Sequence, residues 1–222
     1  MGPGKPTCII MARAPHRHRV KTRLEKSVGS EEALRIYRRL VKHQVDQIPK
    51  GWRIVIQYTP AGAEDEMCDW LGAGLIYRNQ QGEELGERMT GAMDAVFTEG
   101  CGPCFVIGGD CPGLHRTVLE RAANLLGGSD VVVGPAADGG YTLLGLRAPK
   151  PDLFRGIAWG TSSVLEETLS RIAESGLAVS SVIRVCRLAV VESTLLIGTI
   201  GSIDAARLSR VRESLTKWIK GL

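Results

Sequence analysis

Short apolar runs recur along this chain, separated by longer stretches in which apolar residues return every three or four positions. The runs Cys8–Ala12, Ile54–Tyr58, Leu75–Arg78, Phe105–Gly108, Val131–Gly134 and Tyr141–Leu146 have strand length and predict six buried strands. The intervening spacing predicts helices over Ser30–Ile48, Glu64–Leu71, Leu85–Glu99 and Thr117–Leu126, with two more at Thr161–Ser175 and Ser202–Ile219. Alternating strands and helices imply an α/β fold: a mostly parallel sheet covered on both faces through right-handed crossovers. Ser30 ahead of Glu31 and Glu32 marks a helix start, and Ser163 with Glu166 has capping-box spacing. Ala148–Asp152 reads as a surface loop. No repeat or linker divides the chain, and 222 residues suit one generous domain better than two, so a single domain over 1–222 is expected.

Four segments between these elements can carry chemistry. The fourth apolar run ends in Gly108-Gly109-Asp110-Cys111-Pro112, which delivers a fixed negative charge to the carboxyl edge of the sheet, where open α/β folds place ligands. Its expected partner is a divalent cation carrying phosphates, Mg2+ or Mn2+, which needs only one or two protein carboxylates. The competing reading of Asp110 is a turn-former or N-cap. The loop after the first strand carries Arg13, Arg17, Arg19, Lys21 and Arg23 with His16 and His18. It can offer phosphate both cations and backbone amides, though it lacks the glycines of a Walker A loop. In Gln81–Met89, Arg88 is a candidate for holding a phosphate or a base edge, and Gly86 for letting backbone approach a ligand; the alternative is an exposed helix start with acids suited to the dipole. Asp138-Gly139-Gly140 permits a tight turn, and if the strands it joins are neighbours, Asp138 projects from the same edge as Asp110. There it would position an acceptor, act as a base or bind metal.

Bulk properties narrow the partners. The net charge of +4 is concentrated in the first loop, while aromatic residues make up only 5% and do not interleave with the charges as a nucleic-acid platform requires. A small phosphorylated ligand is expected rather than nucleic acid. No apolar run approaches the roughly 20 residues of a membrane span, and no secretory leader pattern opens the chain, so cytoplasmic residence is expected. Cys101-Gly102-Pro103-Cys104 has thioredoxin-like spacing, but it ends a helix and enters a strand, the reverse of the redox arrangement. It reads as a tight turn, with a regulatory disulfide as the alternative.

Taken in order, Ala14-Pro15, Val20-Lys21-Thr22-Arg23-Leu24, Leu85-Gly86-Glu87-Arg88-Met89, Gly109-Asp110-Cys111-Pro112, Gly134-Pro135, Asp138-Gly139-Gly140-Tyr141 and Trp159 with Thr161-Ser162 form a pattern. In it the chain resembles the bacterial glycosyltransferase-like (transferase 1) proteins of the GT-A nucleotide-diphospho-sugar transferase superfamily. It is more distantly similar to the 2-phospholactate and molybdenum-cofactor guanylyltransferases. The resemblance implies a GT-A, Rossmann-like three-layer α/β/α fold with nucleotide bound over the first loop. Asp110 would stand in the place of the metal-binding aspartate, and Asp138 would face the acceptor. Arg13, Lys21, Arg23, Gly86, Arg88, Gly139, Gly140, Thr161 and Ser162 would contact the nucleotide or nucleotide-sugar. Three segments depart from the pattern: Pro15-His16-Arg17-His18 where Pro-x-x-Gly is usual, Glu83-Glu84 where Gly-Asp is usual, and Thr199-Ile200-Gly201-Ser202 where an acidic segment can supply a second metal ligand. The implied activity is glycosyl or nucleotidyl transfer to a small-molecule acceptor; the alternative is a non-catalytic nucleotide-binding protein.

Overall fold

A computed structural model describes residues 4–136 and 138–182. Strands β1 (Thr7–Arg13), β2 (Arg53–Thr59), β3 (Ile76–Asn79), β4 (Cys104–Gly108), β5 (Val131–Pro135), β6 (Tyr141–Leu146) and β7 (Val179–Ser181) form one sheet in the order β3-β2-β1-β4-β6-β5-β7. All pairings are parallel except those of β6, which runs against β4 and β5. The helices are α1 (Thr22–Val28), α2 (Ser30–Gln47), α3 (Glu64–Leu71), α4 (Leu85–Thr98), α5 (Arg116–Leu126) and α6 (Val164–Glu174).

Period-two alternation along the strands sorts the core into two layers. Cys8, Ile10, Ile56, Phe105, Ile107 and Leu143 turn to one face, where Tyr37, Val41 and Val45 of α2, Met67 and Leu71 of α3, and Leu119, Ala122 and Leu126 of α5 cover them. Ile9, Val55, Val106, Val133 and Leu144 turn to the other, against Met89, Met93 and Val96 of α4 and Ile172 of α6. Both faces of the strands are therefore buried, which is why they read as continuous apolar runs rather than as alternating ones.

Three details differ from the sequence expectations. Residues Pro151–Phe154 form a 3-10 turn that starts in the expected surface loop Ala148–Asp152 and runs past it, where Leu153 and Phe154 are buried in the α4 layer. Ser163 does not form the expected box with Glu166; its hydroxyl instead donates to Glu167 Oε1 at 2.5 Å, and α6 starts one residue later. A capping box does form at α4, where Glu84 and Glu87 exchange side-chain and backbone hydrogen bonds. Cys101 and Cys104 are free thiols, and burial pushes the Cys104 thiol well above its ordinary pKa. The helix expected over Ser202–Ile219 lies outside the described residues.

Helix α4 presents its N-terminal end to the site and is held at the other end by charge. Arg53 of β2 and Arg78 of β3 both grip Glu99, which caps α4, and Arg53 also donates to Cys101 Sγ at 2.6 Å. Partial burial works to raise the Glu99 pKa, but the hydrogen bonds from Arg53 and Arg78 offset it and hold the carboxyl below its ordinary value. A depressed carboxylate contributes stability above its unfolded-state pKa and loses it as pH falls through the folded value. Glu99→Gln is therefore expected to lower stability at neutral pH by under ~1 kcal/mol, because the group is more than a third exposed, and to lower Tm slightly. Melts of variant and parent should converge as the buffer is taken to acid.

Candidate functional site

The carboxyl ends of β1 and β4, the start of β6 and the first turns of α4 and α6 surround one cleft of about 420 Å³. Met11, Met89 and Trp159 contribute apolar surface to it, and Arg23, Asp138 and Ser162 polar groups. Gly108, at the end of β4, also lines it, two residues ahead of Asp110.

The first loop is pinned at its ends. Ala14 N–H donates to Thr59 O at 2.8 Å, and Val20 is buried. The Tyr37 hydroxyl accepts from Arg13 N–H at 2.8 Å and donates to Arg13 O at 3.0 Å. Burial above all, with the nearby charge of Asp110 adding to it, pushes the Tyr37 pKa up to about 12, so this clasp stays protonated. The Arg13 side chain is exposed at the strand end.

Most of the loop's basic side chains already have partners. His16 Nε2 lies 2.6 Å from Glu66 of α3, His18 Nδ1 2.5 Å from Glu25 of α1, and Arg17 Nη2 3.4 Å from Glu31 of α2. Lys21, in the left-handed region at φ 48°, places Nζ 2.6 Å from Asp110 Oδ2. The structure thus brings together Lys21 and Asp110, which the sequence assigned to different ligands. The charge of Lys21, reinforced by its hydrogen bond and opposed by burial, holds the Asp110 carboxyl below its ordinary value. Asp110 is accordingly ionised across the neutral range.

Asp138 sits in the β5–β6 turn at the same edge. Its Oδ1 accepts from Gly140 N–H at 3.1 Å, and Ala136 N–H donates to Gly140 O at 2.9 Å, so one carboxylate oxygen shapes the turn. Gly139, at φ +84°, lies so close to the loop before α6 that a Cβ there would meet Ser162 O at 2.1 Å. Leu165 N–H donates to Gly139 O at 2.8 Å. Ser162 faces the cleft, and so does Thr161, whose hydroxyl donates to Ala158 O at 2.7 Å within its own loop.

In the Gly86 segment both the glycine and the arginine have partners within the chain. A Cβ at Gly86 would stand 2.6 Å from Trp159 Nε1, so this glycine makes room for an indole. Arg88 folds back onto the loop ahead of its own helix, donating from Nε to Gly82 O at 2.9 Å and from Nη2 to Glu83 O at 3.0 Å. It is not among the cleft-lining groups, whereas Leu85 and Met89 of the same motif are. Met11 and Met89 went unnoticed in the sequence because a methionine on a strand or a helical apolar stripe carries no mark separating cleft from core.

The donor set can be tested against a divalent cation. Among the described residues no group of three or more His, Cys, Asp or Glu side chains gathers to hold a metal. Asp110, with its side chain 40% exposed, offers one ionised carboxylate. That fits Mg2+ or Mn2+ bound mainly through phosphate oxygens and water, and does not fit an all-protein cage. The segment 199–202, where a second acid was expected, lies outside the described residues.

Residues 44–161 match the family described as "uncharacterized protein conserved in bacteria" (DUF2064). No match was found among curated proteins. Among solved structures, a candidate nucleotide-diphospho-sugar transferase from Desulfovibrio desulfuricans G20 is 29% identical, with 97% of each chain covered and a TM-score of 0.77. A cytidylyltransferase from Leptospira borgpetersenii serovar Hardjo-bovis is 15% identical over 99% of this chain and 98% of its own, at a TM-score of 0.54. Rv0371c from Mycobacterium tuberculosis H37Rv, in complex with manganese, is 12% identical over 80% of this chain and 87% of its own, at 0.51. The latter two show the fold alone. With the first they identify it as the expected GT-A, Rossmann-like arrangement, and these neighbours include transferases. No helix among the described residues is long and apolar enough to cross a membrane.

Proposed function

The chain belongs to the DUF2064 family of bacterial proteins, and from its likeness to the Desulfovibrio candidate transferase and the geometry of its cleft we propose that it is a nucleotide-diphospho-sugar transferase. It would move a glycosyl or nucleotidyl group from a nucleotide-sugar or nucleoside triphosphate to a small-molecule acceptor. The observation that carries the reading is the meeting of Lys21 and Asp110; neither lines the cleft itself, but Asp110 stands beside Gly108, which does, together with Arg23 and Asp138.

Asp110 would hold Mg2+ or Mn2+ jointly with the phosphates, and the ion, when bound, would supply charge neutralisation for the departing group. Lys21 and Arg23 bind phosphate oxygens and stabilise the negative charge that builds on the leaving pyrophosphate or nucleotide. Arg13, exposed at the end of β1, would add to the same field. Asp138, with one oxygen committed to Gly140 N–H, keeps its other oxygen for the acceptor hydroxyl and is placed to take its proton. Trp159, Met11 and Met89 exclude water from one side of the cleft. The contribution of the chain is positioning and charge stabilisation, with no covalent nucleophile.

A thermal-shift screen of nucleoside triphosphates and sugar nucleotides, each with Mn2+ or with EDTA, tests this reading. One base class should raise Tm selectively and more strongly with Mn2+, since a ligand at 100 times its Kd adds about 2.7 kcal/mol of stability. No shift with any nucleotide would overturn it. A selective shift without turnover on any acceptor would favour a nucleotide-binding protein that has lost catalysis, the reading suggested by Thr199–Ser202.

A further inference from the structure

From the Lys21–Asp110 pair we infer that the site takes its metal and its phosphates only together, as the chelate of a divalent cation with a di- or triphosphate, and that Lys21 excludes the free cation. The inference rests on the proposed function and concerns the order in which that site is filled.

Asp110, the carboxylate assigned to the cation, is already bound by an ammonium. Nζ of Lys21 and Oδ2 of Asp110 stand 2.6 Å apart, a short charge-assisted contact, and both side chains are partly shielded, 29% and 40% exposed. A bare divalent cation arriving here meets a ligand whose charge is neutralised, with no cluster of three or more His, Cys, Asp or Glu side chains among the described residues to compensate. A bare phosphate can reach Arg23, but to engage Lys21 it must take an ammonium already committed to Asp110, in a loop where His16, Arg17 and His18 are tied to Glu66, Glu31 and Glu25. Either component alone that engages the pair breaks it without replacing what it breaks. The chelate replaces both halves: its phosphate oxygens receive the ammonium, and its cation receives the carboxylate. No charge is left unpaired in the exchange. Metal and phosphate affinities are then coupled through one contact, and thermodynamic linkage makes the coupling reciprocal.

Both side chains are at the surface, so substitutions here should leave the fold intact, as melting curves will verify. Mn2+ binding is measured by calorimetry on the parent chain, Lys21→Met, Asp110→Asn, the double variant, and Arg19→Met, which removes the same charge from an exposed loop position outside the pair. Lys21→Met should bind free Mn2+ about fivefold more tightly than the parent, the scale of a released, partly exposed ion pair, and the double variant should lose that gain. Arg19→Met should change affinity by less than about twofold at physiological salt. In EDTA, Asp110→Asn should bind inorganic pyrophosphate about fivefold more tightly than the parent, the mirror effect. Equal Mn2+ affinities of the parent and Lys21→Met, with Asp110-dependent Mn2+ uptake by the parent once pyrophosphate is added, would overturn the inference and leave the proposed function standing. A gain in Arg19→Met equal to that in Lys21→Met would also overturn it. Absence of Asp110-dependent Mn2+ binding in every variant, with or without pyrophosphate, would overturn the function itself.

Discussion

Asp110→Asn should remove the Mn2+-dependent part of nucleotide stabilisation and lower turnover on the identified donor by about 10²–10³-fold, the scale associated with losing one preorganised charge-stabilising group. The substitution keeps the shape of the side chain and an oxygen able to accept from Lys21, but removes the charge. Folding stability should hardly respond: the pair with Lys21 is partly exposed, and such pairs are worth no more than about 1 kcal/mol. Loss of metal response with an unchanged melting temperature separates a site residue from a structural one. Thermal-shift curves with Mn2+ and with EDTA give the first quantity, and product formation gives the second. An unchanged Mn2+ response in Asp110→Asn would place the metal elsewhere and leave Lys21–Asp110 as a surface ion pair.

The sheet was legible in the sequence because burial on both faces writes strands as apolar runs, and all six expected strands appear within about a residue of their ends. The elements the sequence did not announce are those without such a signature. Helix α1, Thr22–Val28, has no buried residue, and β7 has three residues at the sheet edge with only partly buried serines and an exposed valine. The reversal of β6 is invisible in composition, since β4, β5 and β6 are all buried runs. For the site, the sequence supplied the edge residues Asp110, Asp138, Lys21 and Arg23, because acids and bases next to apolar runs stand out. It did not supply their pairing. That depends on β1 and β4 lying side by side and on the loop after β1 folding back so that Lys21, at the start of α1, reaches Asp110 beyond the end of β4. Gly86 and Arg88 show the converse: a glycine and an arginine in a suggestive motif serve an indole and a loop, and only packing reveals it.

Gly139→Ala should be the most destabilising of the site variants, and comparison with Gly160→Ala shows why. Both glycines have left-handed backbones, at φ +84° and +81°, so in both an alanine pays about 1–2 kcal/mol for conformation. At Gly160 a Cβ would enter open space, with nothing within 4 Å. At Gly139 it would collide with Ser162, 2.1 Å from the carbonyl oxygen and 2.7 Å from Cα, all backbone atoms that no rotamer change can clear. Either the Asp138 turn or the loop ahead of α6 must then move, breaking the 2.8 Å bond from Leu165 N–H to Gly139 O. Overpacking of this kind adds about 1–3 kcal/mol, for a total of roughly 2–5 and a fall in Tm of about 5–15 °C for a chain of this size. Because Asp138 and Ser162 both line the cleft, the displacement should also weaken acceptor-dependent turnover more than Gly160→Ala does. Equal melting temperatures for the two variants would show that the loop before α6 gives way freely. The close approach at Gly139 would then not be what fixes Asp138 in place.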